Sequence, residues 1–214
     1  MYSWYFHASE CLVYLADVRP LSSGLEAVLD DFRHSEWFTR GWTLQELLAP
    51  CRVIFLTQAW EVFGHKCFSC DDAAPCIGAG RRLNGVVADV TRIPERVLFD
   101  IGEISKMSVE EIAIWAKNRE TSRPEDIAYC MLGLFNVNMT LLYGEGGRAL
   151  ERLQHKIRKI GSRDEDGSLK DPSAIQIAAA SQNLGDCETQ EYIHGRKTEA
   201  DPIQDFMKTY RSAD

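Results

Sequence analysis

Glu46 is the residue on which any chemistry in this chain would turn. It is the single acid in the block Trp37-Phe38-Thr39-Arg40-Gly41-Trp42-Thr43-Leu44-Gln45-Glu46-Leu47-Leu48-Ala49-Pro50. Two tryptophans bracket an Arg-Gly step just before it. A carboxylate in an apolar run can act chemically. It can also satisfy a helix N-terminus, because Thr43-Leu44-Gln45-Glu46 is itself a capping-box pattern. Arg40 can pair with a phosphate or with an acid of its own fold. A structural salt bridge, or stacking on Trp37 or Trp42, is the favoured use. Trp37 and Trp42 read as core anchors. Gly41 between them has to serve the backbone.

Other clusters are weaker. His65-x-Cys67-x2-Cys70-x5-Cys76 has one permissible zinc spacing, but the remainder matches no standard finger or ribbon. It reads as a variable loop with free thiols, and no metal site is assigned. Arg119, Arg123, Glu125 and Asp126 gather at a helix start, where the acids suit the helix N-terminus. They read as an ion-pair network that docks the helical region, with a partner-binding surface as the alternative. Gly144-Glu145-Gly146-Gly147 precedes a helix, yet no Lys-Ser/Thr follows, so it is not a P-loop. No Ser-His-Asp or Cys-His arrangement is supported by spacing.

The elements that would position these residues can be read from periodicity. Trp4, Tyr5 and Ala8 suggest the end of a helix. Cys11-Leu12-Val13-Tyr14-Leu15-Ala16 reads as a buried strand of a parallel pair. Ser23-Gly24-Leu25-Glu26 fits a capping box, and Leu25, Val28, Leu29 and Phe32 predict a helix over 24–33. The tryptophan block predicts a helix over 40–48 that Pro50 stops. Arg52–Leu56 predicts a second buried strand, which makes a βαβ crossover. Residues 64–80 read as irregular. Leu83, Val86, Val87 and Val90 restart a helix, and a short turn follows at 94–99. Ser108-Val109-Glu110-Glu111 is a second capping box. Ser122-Arg123-Pro124-Glu125 opens a helix that Gly133 can end. A last helix is expected over 147–160, with Gly161 at C′.

Bulk properties narrow the class. The 214 residues are 45% hydrophobic, as in a globular protein. A net charge of −8 argues against a nucleic-acid partner, which needs a basic face. No apolar run reaches a membrane span, and the N-terminus shows no signal peptide. The expectation is a cytoplasmic protein whose seven cysteines are reduced thiols. After Gly161 there are six Lys/Arg against eleven Asp/Glu, which predicts an acidic, mostly disordered tail.

The tryptophan block resembles the signature of the fungal heterokaryon incompatibility (HET) domain, W-F-x-R-G-W-T-L-Q-E-L-L-A-P. Met1–Asp17 resembles the helix and strand that precede it, of the form M-Y-x-W-Y-x-x-A…C-x-x-Y-L-x-D-V. Residues 108–157 are similar to the helical region that follows the domain, through Arg119-Glu120-Thr121-Ser122-Arg123-Pro124-Glu125-Asp126-Ile127-Ala128-Tyr129 and Leu141-Leu142-Tyr143-Gly144-Glu145-Gly146. The resemblance implies a protein of non-self recognition and programmed cell death, a signalling and interaction module that binds other proteins or itself. A complete member starts earlier, with L-S-Y-x-W-G and W-I-D-x-x-C-I strand regions absent here, so an N-terminally truncated or inactive copy is the further expectation.

The order of strand, Trp42-x-Leu44-x-Glu46-Leu47 and strand also resembles the second half of a TIR domain. That likeness implies a catalytic Glu46 that stabilises a ribosyl cation as nicotinamide leaves NAD⁺. NAD⁺ enters only as a substrate and no cofactor is expected. As the chain stands it is not expected to be an enzyme. The fold expected is helix-rich α/β, with a partial TIR-like (flavodoxin-like) βαβ layer. The expected boundaries are 1–60 for the HET part, 61–80 for the variable loop, 81–161 for a helical subdomain and 162–214 for the tail.

Overall fold

The computed structural model describes residues 2–68 and 79–161. The readings made for the rest of the loop and for the tail lie outside these residues. A short helix α1 (Tyr2–Phe6) leads into β1 (Cys11–Tyr14). Then come α2 (Leu25–His34), a 3-10 turn (Glu36–Thr39), α3 (Thr43–Leu48) and β2 (Arg52–Leu56). β1 pairs with β2 in parallel, with Cys11 opposite Val53 and Tyr14 opposite Leu56. This is the βαβ crossover that the two apolar runs predicted. Its helices cover one face of the sheet.

Two strands were not expected. β3 (Val62–Cys67) runs antiparallel to β2, and β4 (Arg81–Arg82) runs parallel to β3. The sheet is therefore mixed, in the order β1-β2-β3-β4, and β1 lies at its edge. Residues 64–67 fall in the stretch that read as irregular, because Gly64, His65 and Lys66 interrupt the apolar pattern. Their burial is made possible by neighbours. Lys66 is fully buried and its ammonium donates to the Pro50 carbonyl (2.8 Å) while lying 3.5 Å from the Phe68 ring centroid. Burial drives the Lys66 pKa well below its ordinary value.

The core centres on Phe32. Val28, Leu29 and Phe32 recur at helical spacing on α2 and are buried. The Phe32 ring meets Phe38, Phe55 and Phe63 edge-on at centroid distances of 5.0, 4.8 and 5.3 Å. Edge-to-face rings add about 0.5–1.5 kcal/mol per pair to the area they bury. The capping box proposed for α2 does not form. Gly24 is the N-cap, at φ 91°, and no side chain caps the helix. The left-handed backbone needed there admits glycine more readily than the Ser23 that precedes it.

Beyond β4 the chain is helical: α4 (Asn84–Thr91), α5 (Glu95–Phe99), a 3-10 stretch (Ile101–Lys106), α6 (Val109–Ile114), α7 (Asp126–Tyr129) and α8 (Arg148–Gly161). The second capping box forms as expected, since Ser108 Oγ accepts from the Glu111 amide and Glu111 reaches back to the Ser108 amide. The helix expected from 122 to 133 shortens to α7, with turns on both sides. Asn84, buried, donates to the carbonyls of Cys67 (3.0 Å) and Leu98 (3.1 Å) and so ties β3 to α5. One apolar core runs from Val13 on β1 to Leu153 on α8. The helix-rich α/β class is thus observed.

The N-terminal helix buries a different face from the one expected. Trp4 is 78% exposed, whereas Tyr2 and Phe6 pack against the core.

Candidate functional site

The tryptophan block is two short elements joined by a bend, not one helix. Asp17 builds the first. Its carboxylate accepts from Ser35 Oγ (3.0 Å) and from the Glu36 amide (2.7 Å), while Ser35 Oγ accepts from the Trp37 amide (3.3 Å). These bonds satisfy the donors at the start of the 3-10 turn. The turn sinks Phe38 into the core and sets Trp37 edge-on to Phe38 and Phe55, at 5.2 and 5.7 Å.

The bend is held from the helical region. Gly41 donates to the Glu120 carbonyl (2.8 Å) and Glu120 donates to the Thr39 carbonyl (2.6 Å). Arg40 and Glu120 form an isolated parallel bridge. A Cβ on Gly41 would lie well inside van der Waals contact with Thr121 Cγ2. Close approach of another chain segment is therefore why glycine stands between Arg40 and Trp42. Arg119, buried, donates to the carbonyls of Trp115 (3.1 Å) and Arg40 (2.8 Å) and to Thr43 Oγ1 (2.8 Å). Burial pulls its pKa down to about 10, which leaves it charged at neutral pH. Thr43 Oγ1 lies 2.7 Å from the carbonyls of both Trp37 and Arg40.

That geometry removes the capping-box reading of Glu46. Trp42 is the N-cap of α3, and no side chain caps it. The Glu46 carboxylate instead accepts from Tyr5 Oη at 3.2 Å. Burial first, then the nearby Glu46 charge, raise the Tyr5 pKa to about 12. Burial and the same charge raise the Cys11 thiol to about 11, so Cys11 is not a thiolate nucleophile at neutral pH.

Glu46, Arg40, Trp37 and Trp42, picked separately from the sequence, line one cleft. Thr43 and residues 12–14 of β1 complete it, around a volume of about 280 Å³. It opens beside the edge strand. Arg40 is exposed and makes neither an ion pair nor a ring contact among the described residues, in contrast to the structural pairing expected of it. Glu46, Trp37 and Trp42 are half-buried.

The charged cluster works differently from the ion-pair network expected. Arg119 holds carbonyls, as above. Glu125, buried, accepts from the amides of Gly144 (2.7 Å) and Gly146 (2.9 Å). These bonds, that from Gly146 foremost, hold its carboxyl below the usual range. Asp126 accepts from Tyr143 Oη (3.0 Å), and the Arg123 guanidinium lies 4.5 Å from the Tyr143 ring centroid. The glycine turn at 144–147 is thus occupied by the protein's own carboxylate.

Among the described residues no group of three or more His, Cys, Asp or Glu could hold a metal ion. His65 Nδ1 donates to the Ala79 carbonyl (3.1 Å). Cys67 is disulfide-bonded, which departs from the all-thiol expectation, whereas Cys11, Cys51 and Cys130 are free. Among the described residues no helix is long and apolar enough to cross a membrane.

A helix-rich α/β fold with a Trp-flanked carboxylate at its sheet edge is the class these observations define. Over 175 residues, 80% of its length, the chain is 41% identical to the vegetative incompatibility protein HET-E-1 of Podospora anserina. By this identity the chain belongs to the HET-domain-type fungal proteins. The chain spans 11% of the length of that relative. No family model and no solved structure matches the chain.

Two residues at the site were not singled out from the sequence. Tyr5, which holds Glu46, lies 41 positions away and carries no local signal. Gln45 did carry one, as an uncharged polar residue set among the core-facing Leu44, Leu47 and Leu48.

Proposed function

We propose that this chain acts in vegetative incompatibility, as a cytoplasmic signalling and interaction module whose self-association sets off cell death. The observation that carries this reading is the 41% identity to a vegetative incompatibility protein. The edge of the sheet supports it. Leu12 and Tyr14 on β1 are 38% and 41% exposed, and exposed apolar side chains on an edge strand favour association. The test is expression of the chain in a fungal host, scored for viability, with the purified protein's mass measured by light scattering. Leu12→Asp should leave the melt cooperative while lowering both self-association and killing. Killing that persists in a strictly monomeric variant would remove self-association from the reading.

A second reading is TIR-like hydrolysis of NAD⁺, and the shared cleft is the observation that favours it. Water would attack the ribose anomeric carbon as the glycosidic bond to nicotinamide breaks. ADP-ribose, nicotinamide and one proton are released. Glu46 would stabilise the cationic transition state. Arg40 would hold a phosphate, and Trp37 and Trp42 would flank the ring. A cleft of about 280 Å³ lies at the lower bound of small-molecule sites. It suits the nicotinamide mononucleotide end and not the whole dinucleotide. NAD⁺ consumption should be lost in Glu46→Ala; equal consumption in wild type and variant would take Glu46 out of the mechanism.

A further inference from the structure

A second, larger cleft lies on the other side of Trp42. Tyr2 and Phe6 from α1, Trp42 and Gln45 at the start of α3, and Leu132 and Val137 after α7 form its main walls around a volume of about 730 Å³. That is within the range of clefts that enclose a small organic molecule. The described residues that line it include no Asp, Glu, Lys or Arg. An anionic ligand would meet no lysine or arginine there, only neutral donors and His7.

Among its polar lining residues (Ser3, His7, Asn136 and Asn138 with Gln45), Gln45 supplies a buried one. It is 2% exposed. Its Nε2 donates to the carbonyls of Tyr129 (3.3 Å) and Cys130 (2.6 Å). Two carbonyl acceptors fix the orientation of the amide, because a flipped side chain would set oxygen against oxygen. Oε1 is therefore an acceptor, and it is buried with no hydrogen-bond partner among the described residues. Buried polar atoms are ordinarily satisfied, so an orphan acceptor on a residue that lines the cleft asks for a donor.

The walls are also seated closely. A Cβ on Gly133 would overlap the Tyr2 ring, so α1 rests directly on the backbone after α7. The cleft is thus bounded by four separate segments of the chain, since Ile101 also lines it, and one of them, the start of α3, also lines the smaller cleft. Trp42 lines both, and α1 carries the Tyr5 that holds Glu46.

We propose that this cleft binds an uncharged, largely apolar aromatic ligand that donates one hydrogen bond to Gln45 Oε1. The site is independent of any activity at Glu46. The ring packs between Tyr2, Phe6 and Trp42, and its donor takes the buried acceptor that the protein leaves unpaired.

Calorimetry with the full chain tests this, using 1-naphthol as an uncharged aromatic donor. Naphthalene lacks the donor, and 1-naphthalenesulfonate carries a charge. Wild type should bind 1-naphthol at one site, about five- to tenfold more tightly than naphthalene, as one directed hydrogen bond allows. The sulfonate should not bind. In Gln45→Met the preference for 1-naphthol should vanish while naphthalene binding remains. Leu132→Trp, which fills the cleft and leaves Gln45 in place, should abolish both, and it supplies the decision if Gln45→Met does not fold. Equal affinities for 1-naphthol and naphthalene in wild type would mean that Oε1 is met by water and would overturn the assignment. So would binding that survives Leu132→Trp, or no saturable binding by wild type.

Discussion

Tyr5 and Glu46, 41 residues apart, are joined by a hydrogen bond from the phenol to the carboxylate at 3.2 Å. The bond places the N-terminal helix over the one acid of the tryptophan block. Any ligand that used Glu46 would have to share it with Tyr5 or displace it. Tyr5→Phe should cost about 1 kcal/mol, the net worth of such a bond, measured from urea midpoints. The pH dependence has a definite sign. The folded-state pKa of Tyr5 is raised from 10.0 to about 12, chiefly by burial and then by Glu46. Between these values the folded state binds more protons than the unfolded one, so this contribution is complete below pH 10.0 and is lost as pH rises toward about 12. A wild-type alkaline limb identical to that of Tyr5→Phe would show that the bond does not form in solution.

Gly41 lies so close to Thr121 that a Cβ built on it would overlap Thr121 Cγ2. Gly41→Ala should therefore destabilise by overpacking, by about 1–3 kcal/mol. Thr121→Ser deletes the obstructing methyl and keeps the hydroxyl that bonds the Arg123 carbonyl. The pair should be more stable than the sum of the single changes by at least about 0.5 kcal/mol. Strict additivity in the double-mutant cycle would place the two residues apart.

These contacts mark where sequence reasoning ends. Local pattern sufficed for β2, which was bounded at 52–56, and for the Ser108–Glu111 capping box, because a continuous apolar run and a cap are encoded within a few residues. It failed for β3. Lys66 and Gly64 break the apolar pattern, and only distant groups (the Pro50 carbonyl for Lys66, the Leu83 side chain for Gly64) let them lie inside the sheet. The Glu46 capping reading failed for a related reason. Thr43 has the right spacing to cap α3, but its hydroxyl is taken up by Trp37, Arg40 and Arg119. Residue types named Glu46, Arg40, Trp37 and Trp42 one by one; only the crossover brings them to one cleft.

Arg119 carries the docking between the two parts of the sequence. It donates to main-chain carbonyls and a hydroxyl, so a lysine cannot replace its planar fork. Arg119→Met should cost about 2–4 kcal/mol, since charged hydrogen bonds are lost and the Arg40 carbonyl is left short of a donor. Arg119→Lys should fall between Met and wild type. Chemical denaturation of the three proteins checks the order, and a loss within about 0.5 kcal/mol for Arg119→Met would be that of a surface residue.

His65 gives the second pH dependence, at the acid side. It is buried on β3 and its Nδ1 lies 3.1 Å from the Ala79 carbonyl. Burial lowers its pKa below the ordinary value of 6.5, against the opposing pull of that carbonyl. The unfolded chain therefore takes up a proton before the folded one does. Above pH 6.5 both states hold a neutral imidazole and the contribution is complete. As pH falls below 6.5 the unfolded state is favoured progressively, until the lowered folded-state pKa is passed. Carboxylates such as Glu125 contribute in the same direction, but at lower pH, because their unfolded values lie near 4.5. Urea midpoints from about pH 7.5 to about pH 5.5 thus isolate the histidine. They should fall with pH in wild type, and the slope should flatten in His65→Asn, which can still bond the carbonyl but does not titrate. An equal slope in both proteins would assign the acid sensitivity to groups outside β3.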